Sequence, residues 1–259
     1  MMVWAPWLLL ALAASHYDRA NTLFQQQRFP EAEAELTVAL AENPNLVPAL
    51  TLKAKLAMAL NRFDEARAAL LRAAELQPTS PYVQFLLGFF YYVDNDFQQA
   101  LAPLQRARQL NPADPRAAFY LALSQDGLGQ ADSAASLYET TIALEKKAGQ
   151  PAPDAHVAYA RLLFTLGRFD ESEKHIAQAL ALDPRSRDAH YEQGRLAFER
   201  RAFAQAAEEG EKALAIPGAG TLDRQIHFLL SRAYASLGQQ PLAASHLAKF
   251  KAAGVSLRR

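Results

Sequence analysis

The six histidines carry the most versatile chemistry in this chain, as possible metal ligands or acid–base groups. They occupy two positions of an internal repeat: His16, His156, His190 and His227 at one, and His175 and His246 at the other. Equivalent residues of stacked helical units lie about 10 Å or more apart, because that is the spacing of packed helices. One metal with bonds of about 2 Å cannot join them. We therefore predict that the histidines pack structurally, with no metal and no cofactor.

Motifs of enzymes and nucleic-acid binders are missing from the sequence. It contains no phosphate-binding loop, no Gly-x-Gly-x-x-Gly, no His-Glu-x-x-His and no Gly-x-Ser-x-Gly. The absence of cysteine excludes disulfides, thiolate zinc sites and a cysteine nucleophile. Basic and acidic residues both number 27, so the basic excess typical of nucleic-acid binders is lacking. We predict a protein that is not an enzyme and does not bind nucleic acid.

Aromatic residues between positions 82 and 92 suggest a binding surface. Spacings of three, four and three residues place four of them on one stripe of a helix: Tyr82, Phe85, Phe89 and Tyr92. The other side of that helix is also apolar, with Leu87, Phe90 and Tyr91. A helix that is apolar nearly all round must bury both sides. Either a partner covers the stripe or the stripe packs against neighbouring helices.

Arginines recur once per unit in the second half of the chain. They are spaced 34 and 37 residues apart, with Lys55 in the same register earlier: Arg161, Arg195 and Arg232. Because arginine binds carboxylates bidentately, these side chains could hold an extended segment of a partner. The alternative is pairing within one helix, which Glu192 and Glu199 offer to Arg195 but which Arg161 and Arg232 lack.

A fixed period positions these residues. Pro44, Pro78 and Pro112 are each 34 residues apart, and similar segments recur at 28–36, 62–70, 96–104 and 168–176. Such a period indicates a stack of equivalent supersecondary units rather than one globular core. Each unit reads as two amphipathic helices joined by a tight turn. Small residues at facing positions let the two helices approach, and aromatic residues close each pair at the turn: Phe29, Phe63, Phe97, Phe169 and Phe203.

The pattern resembles the tetratricopeptide-repeat (TPR) family. The best match to the family signature is the third unit, with Leu87-Gly88, Tyr91, Ala100, Leu104, Ala107 and Pro112. The resemblance implies an all-α, right-handed superhelical solenoid of about seven antiparallel helix pairs over residues 15–251. The predicted repeats are approximately 13–46, 47–80, 81–114, 115–148, 153–186, 187–220 and 224–251, with a longer loop expected at 147–153.

In this family the first helix of each pair lines a concave face, and a non-enzymatic scaffold for protein–protein interaction is implied. We expect a protein or peptide partner to bind there. The candidate groove residues are Tyr17, Phe24, Tyr82, Phe85, Phe89, Tyr92, Phe119, Arg161, Phe164, Tyr191, Arg195 and Arg232. The competing interpretation is that these aromatics belong to packing between helices.

The ends of the chain raise the question of location. Residues 1–14 form an apolar leader that is too short to span a bilayer and resembles the apolar part of a secretory signal, although no basic residue precedes it. We favour an exported or periplasmic location over a cytoplasmic one. An alternative function is an envelope-associated assembly factor held at a membrane by this leader. Residues 252–259 are predicted to form a basic tail.

Overall fold

The computed structural model describes residues 6–218 and 221–256, and within these ranges it consists of helices without strands. The fourteen helices of the described ranges are α1 (Pro6–Gln25), α2 (Phe29–Glu42), α3 (Val47–Ala59), α4 (Phe63–Leu76), α5 (Pro81–Val93), α6 (Phe97–Leu110), α7 (Pro115–Gly127), α8 (Ala131–Lys147), α9 (Pro153–Thr165), α10 (Phe169–Leu182), α11 (Arg187–Glu199), α12 (Phe203–Ala215), α13 (Thr221–Ser236) and α14 (Gln240–Ser256). The predicted all-α fold of consecutive helix pairs is confirmed.

The chain divides into two compact units, residues 1–137 and 138–259, and the boundary lies within α8. In the first unit, α1 packs on α2, α3 on α4 and α5 on α6 as hairpins, and each hairpin also contacts the next. In the second unit, the hairpins are α9–α10, α11–α12 and α13–α14. The odd-numbered helices, which open each pair, are called the first helices below.

Every turn inside a pair contains one residue with left-handed backbone. Its φ lies between 57° and 73° at all seven turns: Gln27, Asn61, Asn95, Gly129, Gly167, Arg201 and Gly238. The next residue then donates its N–H back to the last turn of the first helix, as Arg28 does to the carbonyl of Leu23 at 2.9 Å. This is the usual way to end a helix and satisfy its free carbonyls. The turn therefore sets the same hairpin geometry in every repeat.

Small residues let the two helices of a pair approach. The predicted position in the first helix is buried throughout: Ala20, Ala54, Gly88, Ala122, Ala160, Gly194 and Ser231. At Gly88 the fit is so close that a β-carbon would lie 2.5 Å from the Cγ of Leu104 on α6. The predicted aromatic residues at the turns begin the second helices, and their rings contact first-helix rings at 5.2–6.4 Å, as Phe203 contacts Phe198 at 5.2 Å.

The insertion expected to lengthen the loop at 147–153 lengthens both α8 and the loop 148–152. At 17 residues, α8 is three longer than the 14 of α2, α4, α6 and α10. The loop that follows gains only one residue, and Gly149 ends the helix with φ of 70°. The extra residues Glu145, Lys146 and Lys147 extend the helix because glutamate and lysine favour it.

The helix α1 starts at Pro6, so it includes part of the segment predicted as a leader. At the other end, α14 continues to Ser256 and includes part of the predicted basic tail. Within the residues that the structure describes, no helix has the length and apolar character needed to cross a bilayer. The predictions of export and of envelope association depend on residues 1–14, of which 1–5 lie outside the described ranges, and they stay predictions.

Candidate functional site

In the second unit, the predicted arginines and aromatics lie beside each other on neighbouring first helices, and two further rings, Phe198 and Phe228, join them. We call the set on α9, α11 and α13 the arginine face: Arg161, Phe164, Tyr191, Arg195, Phe198, Phe228 and Arg232. The guanidinium carbon of Arg195 lies 4.3 Å from the ring centre of Phe164, on the preceding first helix, and 5.8 Å from that of Tyr191. Such cation–π contacts hold an arginine in one orientation.

The next step along the arginine face repeats this geometry. The guanidinium carbon of Arg232 lies 4.3 Å from the ring centre of Phe198 and 5.6 Å from that of Phe228. Phe198 follows Phe164 by one repeat, and Arg232 likewise follows Arg195. The contact therefore arises from the repeat itself, because α11 and α13 each place an arginine over the ring of the preceding first helix.

A buried carboxylate joins two of the three arginines. Glu192 is 1% exposed and accepts hydrogen bonds from the Nε of Arg161 at 2.8 Å and from a terminal nitrogen of Arg195 at 2.6 Å. Asp188 lies 3.5 Å from Arg161 and adds a second negative charge. The charges of Arg161 and Arg195 are therefore largely compensated within the protein. The sequence offers Glu192 only to Arg195, because Arg161 stands 31 residues away on another helix.

Arg232 differs from the other two arginines in its electrostatics. Its side chain is exposed, and no carboxylate of the described residues lies within 4.0 Å of it. Phe228, one turn earlier on α13, is 42% exposed. This end of the arginine face thus offers an uncompensated positive charge beside an exposed ring.

In the first unit, the aromatic stripe of α5 packs mainly against α7. The ring centre of Tyr120 lies 5.9 Å from Phe85, 4.8 Å from Phe89 and 5.2 Å from Tyr92. Phe85 is only 9% exposed and also contacts the guanidinium of Arg116, whereas Tyr82 is 42% exposed. Much of the stripe is therefore interhelical packing. Sequence reasoning missed Tyr120, which takes the position that Leu86 holds in the preceding repeat.

An open cleft of about 250 Å³ lies between α1, α3 and α5. Its polar lining includes Tyr17, Asn21, Lys55 and Tyr82. The Nζ of Lys55 lies 5.2 Å from the ring centre of Phe24, a third copy of the contact seen in the arginine face. Burial and the neighbouring Tyr17 raise the pKa of Tyr82 above its ordinary value, and its protonated hydroxyl can donate a hydrogen bond. We call this region the Lys55 cleft.

Phe119 is half-buried on α7, where its ring contacts that of Tyr120 at 5.4 Å. The histidines lie elsewhere, between the two helices of their own hairpins, and each pairs with a residue 19 positions away. Sequence reasoning compared only histidines at the same repeat position and missed these pairs. Among the described residues, no group of three or more histidine, cysteine or acidic side chains is arranged to hold a metal ion.

Comparison with known proteins places this geometry in context. Two sequence profiles described as tetratricopeptide repeat match the chain, one over residues 11–88 and the other over 91–153, 121–174 and 157–221. No curated protein matches the chain by sequence.

Solved structures share the fold at low identity. PilF of Pseudomonas aeruginosa gives a TM-score of 0.71 with 18% identity, covering 87% of this chain and 97% of that one. A chain of the Cut9–Hcn1 hetero-tetramer of the APC/C gives 0.67 with 19% identity, covering 90% of this chain and 44% of that one. Yeast Tom70 gives 0.64 with 22% identity, covering 84% and 46%. The chain thus spans less than half of the latter two, and the likeness shows the fold alone.

Proposed function

This chain belongs to the tetratricopeptide-repeat family, and we propose that it is a non-enzymatic scaffold that binds a segment of a partner protein along its first helices. The observation that carries this proposal is the exposed end of the arginine face. There Arg232 is held over Phe198 and beside Phe228, without a carboxylate of its own among the described residues. An exposed cation and an exposed ring in a fixed arrangement contribute little to the stability of the fold, and both are available to contact a partner.

Energetic considerations support this site. Arginine and aromatic residues dominate the hot spots of protein interfaces. Because Arg232 already rests on rings, it loses less side-chain entropy when a partner binds than a free arginine would. The carboxylate of an aspartate or glutamate in the partner would supply the missing negative charge. We infer that the bound segment is acidic near Arg232.

Arg161 and Arg195 are expected to contact a different part of the bound segment from the part that Arg232 contacts. Arg161 and Arg195 are compensated by Glu192 and Asp188, so a second partner carboxylate would gain little there. Their remaining N–H groups can donate to backbone carbonyls of an extended chain. Phe164 and Tyr191 would supply apolar contact beside them. The segment is therefore expected to be charged at one end of the arginine face and neutral at the other.

The Lys55 cleft is the second proposed contact, within the first unit. Lys55 has no acidic partner within 4.0 Å among the described residues, and Asn21 and Tyr82 can form hydrogen bonds beside it. Tyr17, Phe24 and Tyr82 would contact the partner directly. In our proposal, Phe85, Phe89 and Tyr92 hold α5 against α7. Phe119 lies at the edge of the proposed binding surface.

The test replaces Phe228 and Arg232 together by alanine and compares capture of proteins from native extract by the variant and the wild type. Loss of a hot-spot pair worth about 2 kcal/mol or more lowers affinity roughly 30-fold. We expect the specific partner to be lost while circular dichroism stays unchanged, because both side chains are exposed.

A control pair is available at the C-terminal end of α10 and in the loop that follows it, in the same unit. Leu182 is 39% exposed at the end of α10, and Arg185 is exposed without an acidic partner among the described residues. Replacing both by alanine removes the same kinds of atoms from another surface, and capture should persist. Equal capture by the two double variants would refute the arginine face as the binding site.

A further inference from the structure

Among the hairpins that the structure describes, four carry a polar pair at one repeated position between their helices. A first-helix histidine contacts the residue 19 positions later on the second helix. In two hairpins the partner is a carboxylate: His16 contacts Glu35 at 2.5 Å, and His190 contacts Glu209 at 2.7 Å. In the two others the partner is a second histidine. The same position thus occurs in two chemical versions within one chain.

The histidine pairs have matching geometry. The Nδ1 atoms of His156 and His175 lie 3.0 Å apart, and so do those of His227 and His246. The ring centres are 5.2 Å apart in both pairs. A hydrogen bond between two imidazole nitrogens needs a donor and an acceptor, so at least one ring must be neutral. When both rings are protonated, two positive donors face each other and the bond is lost.

We propose that these two histidine pairs make the hairpins 153–182 and 221–256 acid-sensitive, while the histidine–carboxylate pairs keep the hairpins 6–42 and 187–215 closed. Protonation has opposite effects in the two versions. It turns His190 and Glu209 into an ion pair, whereas it drives His156 and His175 apart. A metal ion bridging the imidazoles is a poorer explanation, because two ligands fall short of the usual protein set.

The charges around the first pair are consistent with this proposal. Burial and the neighbouring His175 lower the pKa of His156 to about 4. Burial also lowers the pKa of His175, although Glu139 on α8 and Glu171 on α10 oppose the change. Those two carboxylates form hydrogen bonds with other groups. Glu139 accepts one from the hydroxyl of Tyr159 at 2.9 Å, and Glu171 accepts one from Arg168 at 2.6 Å.

The second pair has a similar environment. Burial, His246 and Lys249 on α14 lower the pKa of His227, while Asp223 on α13 and Glu211 on α12 oppose them. Burial and Lys249 also lower the pKa of His246, against Glu211. Glu211 lies 3.4 Å from the Nε2 of His246 and accepts the hydroxyl of Tyr234 at 3.0 Å. This carboxylate can support one proton on the pair but not two.

The sign of the pH effect follows from these shifts. An unfolded histidine titrates near pH 6.5, above the value in the folded hairpin, so the open state binds more protons. The stability contributed by the pair is complete above pH 6.5 and is lost as the pH falls toward 4. The shift of His156 alone corresponds to an increase in hairpin opening on the order of 100-fold at pH 4.

Hydrogen exchange of the full chain, followed by mass spectrometry from pH 7.5 to pH 4 and corrected for intrinsic rates, tests the proposal. The hairpins 153–182 and 221–256 should lose at least tenfold more protection than 6–42 in the same sample, which is the better reference because 187–215 packs against both of them. Comparing hairpins within one molecule removes general effects of acid. Similar losses in all hairpins would overturn the proposal.

The chain supplies its own matched variants. H175E and H246E convert the two pairs into the version found in the neighbouring hairpins, and the acid-induced loss should disappear. The reciprocal E209H should create acid sensitivity in 187–215. If H175E or H246E fails to fold, H175Q and H246Q serve instead, because glutamine cannot gain a charge. Persistence of the loss in these variants would show that other groups are responsible.

Discussion

At the scale of single residues, Glu192 organises the arginine face. It is fully buried, and a buried carboxylate is costly unless it is paired and hydrogen-bonded. Both oxygens are used, one by Arg161 of the preceding first helix and one by Arg195 of its own helix. This carboxylate therefore joins α9 to α11 and also fixes where uncompensated positive charge remains.

Replacing Glu192 by glutamine should lower the free energy of unfolding by about 1–3 kcal/mol. Removing one partner of a buried ion pair leaves the other charges uncompensated, and partial exposure of both arginines reduces the full penalty. Urea denaturation measures the effect. Glu199→Gln is the control, because Glu199 is exposed on the same helix and has no basic partner within 4.0 Å among the described residues. Equal stability of the two variants would contradict the role of Glu192.

At the scale of helices, the turn inside each pair is the most regular feature. Three turns use glycine and two use asparagine, both of which tolerate left-handed backbone, but Gln27 and Arg201 do not have this advantage. These two turns are therefore strained where the others are relaxed. The hairpin geometry imposes the conformation even where the residue disfavours it.

Arg201→Gly should raise the free energy of unfolding by about 0.5–1 kcal/mol, because glycine removes the steric cost of positive φ. Gly167→Ala at the equivalent turn should lower it by a similar amount. Beyond the residue itself and its two chain neighbours, nothing lies within 4 Å of where a β-carbon of residue 167 would stand, so that change reports backbone strain alone. Thermal and urea unfolding of both variants should show opposite signs, and changes of the same sign would be inconsistent with strain.

The sequence predicts this level of structure well, because its signals recur along the chain, the small residues in all seven repeats and the aromatic residues at the turns in five. Proline spacing, small residues and the aromatic residues at the turns all mark their positions correctly. Contacts between neighbouring repeats are harder to predict. Tyr120 and the pairing of Arg161 with Glu192 depend on how neighbouring first helices cross, which the pattern of a single helix does not contain. The length of α8 was not predicted, because a break in the repeat spacing shows how many residues are inserted but not whether they are helical.

At the scale of the whole molecule, nearest-neighbour contacts determine how stability is distributed. In the first unit, α5 packs on α3, α4, α6 and α7, whereas α2 packs on α1 and α3. The stability of such an array is approximately the sum of its repeats and their interfaces. Damage to one hairpin should therefore affect its neighbours and fade beyond them. A single core would instead lose protection everywhere at once.

Gly88→Ala tests this distribution. The added β-carbon would stand 2.5 Å from the Cγ of Leu104 and 3.1 Å from its backbone nitrogen, so α5 and α6 must separate. Overpacking of this kind costs about 1–3 kcal/mol. Hydrogen exchange should show lost protection in α5, α6 and the adjoining α4 and α7, with α2 nearly unchanged. Ala102→Ser, at an exposed position of α6, controls for substitution in the same hairpin. A loss in α2 equal to that in α6 would mean that the first unit unfolds as one cooperative core rather than as coupled repeats.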